Sequence, residues 1–310
     1  MHNEKYNLIT ILGPTASGKT TVAAKLASLL DGEIISADSR QVYRGMDLGT
    51  GKDYADYVVD ENQIPYHLID ILDAGYEYNV YEYQKDFLRV FAEITERKKL
   101  PVMCGGSGLY LEAILKNYKL IQVPVNELLR EQLAEKPLEE LTALLRTYKN
   151  YLHNQTDTEN SKRAVRAIVI EEYYLTHPEI DTGMPDIRSL VVGVKFDRLS
   201  RRKRITSRLK QRLKEGMLDE VQRLLDSGLT PEQLTYYGLE YKYMTQHLTG
   251  QLTYQEMFEG LNVAIHQFAK RQMTWFRRME KQRTEIHWID GYMPLDEKIS
   301  KILEWYSETQ

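Results

Sequence analysis

Apolar residues follow two rhythms along this chain. Short, nearly unbroken runs read as buried strands: Leu8-Ile9-Thr10-Ile11-Leu12, Pro101-Val102-Met103-Cys104 and Leu190-Val191-Val192-Gly193-Val194-Lys195-Phe196. Elsewhere apolar positions recur every third or fourth residue, the spacing of one helix face. Phe87, Val90, Phe91 and Ile94 do so within 80–99, and Ile205, Leu209 and Leu213 do so further on. Glu33–Asp38 and Tyr66–Ile71 add two expected strands, and Val22–Ala27 and Leu109–Leu115 two helices. Val263–Lys281 reads as one long helix, and Ile286–Asp290 as a last strand before a terminal helix. Strands alternating with helices predict an α/β fold, a parallel sheet with helices on both faces.

One region breaks the alternation. Between Asn117 and about Arg188 no buried strand is visible. Leu128 to Tyr148 reads as a single helix, a polar break runs from His153 to Asn160, and a helix bearing Arg163, Arg166 and Ile170 follows. The expected division is a catalytic core of residues 1–117 and 189–310 around a small helical insertion, 118–188.

Between the first strand and the first helix stands Gly13-Pro14-Thr15-Ala16-Ser17-Gly18-Lys19-Thr20. This is the G-x-x-x-x-G-K-[ST] phosphate loop in the strand–loop–helix context it requires. Its backbone N–H groups wrap an anion at the helix N-terminus. Lys19 reaches the terminal phosphates, and the Thr20 hydroxyl reaches a bound Mg²⁺. The fold expected is therefore a P-loop NTPase-like sheet. Sites in such sheets lie beyond the strands' carboxyl ends, where this loop, Asp38 and the Gly105–Gly108 turn all fall.

Composition narrows the picture without redirecting it. The 310 residues are 42% apolar and 28% charged, ordinary for a globular protein of about two domains. No apolar run approaches the ~18 residues of a membrane span, and Met1–Tyr6 has no charged-then-apolar leader. A cytoplasmic protein with no membrane partner is expected. Cys104 is the single cysteine, which excludes an internal disulfide. The net charge of −4 hides local basic stretches. Residues 198–214 hold nine Lys or Arg and no acid, and a second cluster runs from Lys270-Arg271 to Arg283. Such surfaces suit phosphates or RNA, and suit plain solvated helix faces equally. Arg204, Arg208 and Arg212 form a row beside the apolar stripe of their helix, placed to reach a cleft.

A phosphate loop usually serves an NTPase or small-molecule kinase, which adds a metal-holding Asp at a strand end. Here Pro101–Cys104 ends in Gly105-Gly106-Ser107, and Asp70 sits among expected strand residues. Asp38 suits a different role, that of accepting a proton from a nucleophile that attacks near the phosphates. It could equally brace its own loop.

The stretch Ala37-Asp38-Ser39-Arg40-Gln41-Val42-Tyr43-Arg44-Gly45-Met46-Asp47-Leu48-Gly49-Thr50, taken with the phosphate loop, resembles the tRNA dimethylallyltransferase (tRNA isopentenyltransferase) family. Gly105–Leu111, Arg163–Ala167 and Lys270-Arg271-Gln272-Met273-Thr274-Trp275-Phe276-Arg277 carry the resemblance across nearly the whole chain. No zinc-finger pattern of the eukaryotic kind follows, so the bacterial type is matched. The resemblance implies transfer of a dimethylallyl group from dimethylallyl diphosphate to N6 of the adenosine next to the anticodon. It implies that Asp38 is the base, that Thr15 lies beside the reacting centre and that Arg208 binds diphosphate with Gly13–Thr20. It also implies that Asp38, Ser39, Arg40, Gln41, Ser107, Arg163, Arg166, Lys270, Arg271 and Gln272 face tRNA, in an enzyme expected to be monomeric. A relative that prenylates free adenylate, or a kinase, is the alternative. The chain departs from the family's pattern at Gly51-Lys52-Asp53, usually Ala-Lys-Pro, at Val169, usually acidic, at Ser107, usually Thr, and at Gly238-Leu239-Glu240-Tyr241.

Overall fold

In the computed structural model, which describes residues 5–120, 122–148, 158–177 and 184–308, the apolar runs assemble into one six-stranded sheet. In chain order the strands are β1 (Leu8–Leu12), β2 (Gly32–Ala37), the small antiparallel pair β3 (Val58–Val59) and β4 (Asn62–Gln63), β5 (Tyr66–His67), β6 (Leu100–Gly105), β7 (Ser189–Lys195) and β8 (His287–Asp290). The sheet runs β5-β2-β6-β1-β7-β8, with every pair parallel. A sheet of this kind buries both faces, which is why its central strands read as continuous apolar runs. Side-chain alternation sends Leu8 and Leu12 to one face and Ile9 and Ile11 to the other, all four fully buried. Each such burial is worth about 1.5–3 kcal/mol.

The helices are α1 (Lys19–Leu29), α2 (Val80–Glu96), α3 (Gly108–Leu115), α4 (Glu127–Ala134), α5 (Leu138–Tyr148), α6 (Ser161–Thr176), α7 (Arg198–Lys214), α8 (Met217–Asp226), α9 (Pro231–Tyr236), α10 (Leu239–Leu248), α11 (Tyr254–Lys281) and α12 (Leu295–Ser307). Val22 and Leu26 of α1 and Ile299 and Ile302 of α12 cover the face of Ile9 and Ile11. Phe87 and Ile94 of α2, Leu111 of α3, Leu209 of α7 and Phe276 of α11 belong to the core on the opposite face. The chain divides into two compact units, Met1–Tyr118 with Met184–Gln310, and Lys119–Gly183. The smaller unit has its own core of Leu133, Leu141, Leu145, Ala164 and Ile168.

Three sequence expectations need correction. The strand expected over Tyr66–Ile71 pairs only at Tyr66–His67, because Leu68 and Asp70 take positive φ (61° and 54°) and leave the sheet. The helix expected from Leu128 to Tyr148 is two helices. Pro137 cannot continue the first, and Leu128 points to solvent at 74% exposure. The long helix begins at Tyr254, where Thr253 and Glu256 form a reciprocal cap. Of the polar break, His153–Asp157 lies outside the described residues.

Candidate active site

The sheet explains why the chemistry gathers where it does. β1, β2 and β6 all end at the same edge, with Leu12 opposite Gly105 and Ala37 opposite Gly105. Gly13–Thr20 leaves the end of β1 and enters α1, with Ala16 and Gly18 at positive φ (61° and 75°). Two residues far away in sequence shape this loop. Gln272 of α11 accepts the Thr15 N–H through Oε1 (2.9 Å) and donates Nε2 to the Gly106 carbonyl (2.9 Å). Gly106 allows this close approach, since a Cβ there would stand 2.5 Å from the Gln272 Nε2 and 3.0 Å from the Gly13 carbonyl oxygen. Arg204 of α7 donates Nε to the Ala16 carbonyl (3.0 Å), its guanidinium 4.4 Å from the Phe196 ring centroid. Burial pushes the Lys19 ammonium below its ordinary range, while the charge of Asp38 opposes the shift. The Cys104 thiol is pushed up to about 11 by burial, so it stays protonated and unreactive.

Asp38 follows β2 directly. Its Oδ1 accepts the Arg40 N–H (2.9 Å), a bend that keeps the carboxylate at the sheet edge and half-exposed. Bracing and chemistry are thus compatible in one side chain. Ser107 at the start of α3 accepts the Ser39 N–H (3.1 Å), tying that segment to the end of β6. The Arg40 guanidinium lies 4.7 Å from the Tyr236 ring centroid.

Of the arginine row of α7, Arg204 is exposed, but Arg208 and Arg212 are no solvated flank. Arg208 and Arg212 line a cleft with Thr15, Ala16, Ile205, Leu209, Met217, Glu240 and Ile265. Both guanidiniums bond Asp53, at 2.7 and 2.8 Å. Burial opposes ionisation of Asp53, but the two arginines outweigh it and hold the carboxyl below the ordinary carboxylate range. Burial pushes the Glu240 carboxyl upward. Burial also raises Asp56, and the charge of Asp53 adds to that shift. Asp53, Arg212 and Glu240 are not among the expected site residues. The i, i+4 row containing Arg208 is the available signal for Arg212. Nothing local marks Asp53, whose partners lie 155 and 159 positions away.

Several residues expected to face tRNA are placed otherwise. Gln272 is a correction: it is buried at 8% exposure with both amide atoms bonded inside the protein. Its helix neighbours Ala269, Met273 and Phe276 face the core, and Gln272 shares their side. The Gln41 amide is likewise turned inward, accepting from the Ser36 hydroxyl (3.1 Å) and donating to the Gly51 carbonyl (3.1 Å). Lys270 and Arg271 on α11 are exposed, and Ser39 and Arg40 are half-exposed. On α6 of the smaller unit, Arg163 is exposed and pairs with Glu159. Arg166 is half-buried there, reaching the Val123 carbonyl, and its Nη1 is buried without a partner. The unusual Val169 is buried at 2% exposure.

A family model described as IPP transferase matches residues 41–279. The chain belongs to the IPP transferase family. A tRNA dimethylallyltransferase of Bacteroides fragilis is 60% identical, the match covering 98% of this chain and 99% of that one. The crystal structure of the full-length tRNA isopentenylpyrophosphate transferase of Bacillus halodurans superposes with a TM-score of 0.72 at 30% identity, covering 99% and 97% of the two chains. A eukaryotic dimethylallyltransferase acting on tRNA, 21% identical, shares the fold with a TM-score of 0.79 over 98% of this chain and 80% of its own. The expectation of a P-loop-like prenyltransferase of the tRNA-modifying class is met. The phosphate loop here is no mark of a kinase. β6 ends without an acid, and Asp197 beyond β7 caps α7 by accepting the Leu199 and Ser200 N–H groups (2.8 and 3.1 Å). Among the described residues no helix is long and apolar enough to cross a membrane.

Proposed function

We propose that this chain transfers the dimethylallyl group of dimethylallyl diphosphate to N6 of adenosine 37, beside the anticodon of tRNA, and releases diphosphate. The observation that carries the reading is the meeting of a phosphate loop, the strand-end carboxylate Asp38 and the α7 arginines at one edge of one sheet. N6 attacks the allylic carbon, the carbon–oxygen bond breaks, and its electron pair leaves on diphosphate. The N6 proton passes to Asp38. Lys19, the loop N–H groups and Arg208 neutralise the charge arriving on the leaving group, Arg208 as a bidentate partner of phosphate oxygens. Thr15 lies beside the reacting carbon.

No three His, Cys, Asp or Glu side chains cluster as a metal cage among the described residues. Mg²⁺ needs no such cage here, since it keeps waters and takes one or two protein oxygens plus substrate phosphates. The half-buried Thr20 hydroxyl, in the first turn of α1, is a donor of that kind. Bound there, the ion adds neutralising charge to the diphosphate. Ser39, Arg40, Lys270 and Arg271, with Arg163 and the 118–188 insertion, are assigned to tRNA, whose target base leaves its stack to react. The reacting groups belong to a single copy of the chain, so a monomer suffices.

The test supplies labelled dimethylallyl diphosphate with unmodified tRNA or free AMP. Label is expected in tRNA and not in AMP. Asp38→Ala should lower transfer by about 10²–10⁴-fold while diphosphate binding persists. Label in AMP, or phosphate transfer from ATP, would overturn the reading.

A further inference from the structure

The two arginines beside the phosphate loop already hold an anion that belongs to the chain. Asp53 accepts from Arg208 Nη2 on Oδ2 (2.7 Å) and from Arg212 Nη2 on Oδ1 (2.8 Å), one oxygen for each guanidinium. The segment carrying Asp53 is built around that grip. Gly51, at φ +80°, lets both guanidiniums approach to 2.7–2.8 Å from where a Cβ would stand. The Gln41 amide pins the Gly51 carbonyl (3.1 Å), and the buried Lys52 ammonium is anchored on Asp47, Asp70 and the Tyr43 carbonyl. Asp53 itself remains half-exposed, so its carboxylate is held from behind and open in front.

We propose that Asp53 is an internal competitor of diphosphate, offering Arg208 and Arg212 a pair of oxygens in place of phosphate oxygens. Carboxylate and phosphate accept the same bidentate guanidinium geometry, so the two anions draw on one set of donors. The inference rests on reading this cleft as the diphosphate site. Competition of this sort weakens the hold on donor and released pyrophosphate alike. Uniform binding lowers KM without raising kcat, and slow product release limits many enzymes. By reclaiming the arginines, Asp53 speeds departure of pyrophosphate and raises KM with it.

The experiment titrates inorganic pyrophosphate into the wild-type protein, Asp53→Asn, Asp53→Glu and Lys19→Ala, with steady-state kinetics on the first three. Asp53→Asn keeps the side-chain shape and loses only the two ion pairs of a half-exposed carboxylate, so the fold is expected to survive. It should bind pyrophosphate about three- to tenfold more tightly, the range of one or two screened ion pairs. Its KM for dimethylallyl diphosphate and its kcat should fall together, and Asp53→Glu should restore both. Unchanged or weaker pyrophosphate binding by Asp53→Asn overturns the competitor role; weaker binding would make Asp53 a positioning residue for the arginines. If Lys19→Ala binds pyrophosphate as well as wild type, the diphosphate reading itself fails. If Lys19→Ala loses binding and Asp53→Asn changes nothing, only the competition is disproved.

Discussion

The carboxamide of Gln272 joins the phosphate loop, the end of β6 and α11 through two hydrogen bonds. Because it takes the Thr15 N–H, that amide is removed from the set facing the anion, and the loop's path is set by α11. Gln272→Ala leaves a buried carbonyl and a half-buried N–H without partners. It should cost about 2–4 kcal/mol of stability, read as a lower denaturation midpoint, and should weaken pyrophosphate binding by displacing Thr15. Retained stability would show that water replaces both bonds. Resemblance groups Gln272 with Lys270 and Arg271 as residues facing tRNA. Its position three after Ala269 and four before Phe276, both buried, points inward instead. Asp53 offers no comparable clue.

At the scale of elements, α8 organises the loop that follows β2. Buried Glu220 accepts the N–H groups of Asp47, Leu48 and Gly49 (2.8, 2.8 and 3.0 Å) and the Tyr241 hydroxyl (2.7 Å). One carboxylate therefore closes a turn 171 residues away, on the segment that leads to Gly51 and Asp53. Glu220→Ala strands three N–H groups and should destabilise the protein by about 3 kcal/mol or more. Hydrogen exchange should speed most at Asp47, Leu48 and Gly49. Uniform acceleration across the sheet would instead indicate global unfolding. Glycine punctuation makes this segment legible as a loop, but its rigidity is not legible, because the stabilising partner is remote. Likewise Pro137 is visible in the sequence, yet the leucine rhythm on either side suggests one helix where there are two.

Across the whole molecule, Glu112 of α3 ties the core to α11. It is 1% exposed and pairs with Lys116 (2.9 Å) and with Arg278 of α11 (2.6 Å). Burial disfavours its charge, but Lys116 and Arg278 prevail and hold the carboxyl below its ordinary value of 4.5. A carboxyl depressed in the folded state contributes stability above its unfolded value and loses it as pH falls through the folded one. Glu112→Gln should therefore cost about 1–3 kcal/mol at neutral pH. Its urea midpoint should decline less steeply below pH 4.5 than that of the wild type. Parallel declines would assign the acid limb to other groups.

By itself the sequence determined the alternation of strands and helices, the strand–loop–helix at Gly13–Thr20 and the placing of Asp38 at a strand end. Apolar period, turn chemistry and phosphate-loop spacing act over a few residues, so a local reading captures them. Only the tertiary structure decided which partner each charged or amide side chain found: Asp53 on Arg208 and Arg212, Glu220 on the turn at Asp47–Gly49, Gln272 inside the core. Those pairings join positions more than 150 residues apart, and only the stacking of α7, α8 and α11 around a parallel sheet brings them within hydrogen-bonding distance.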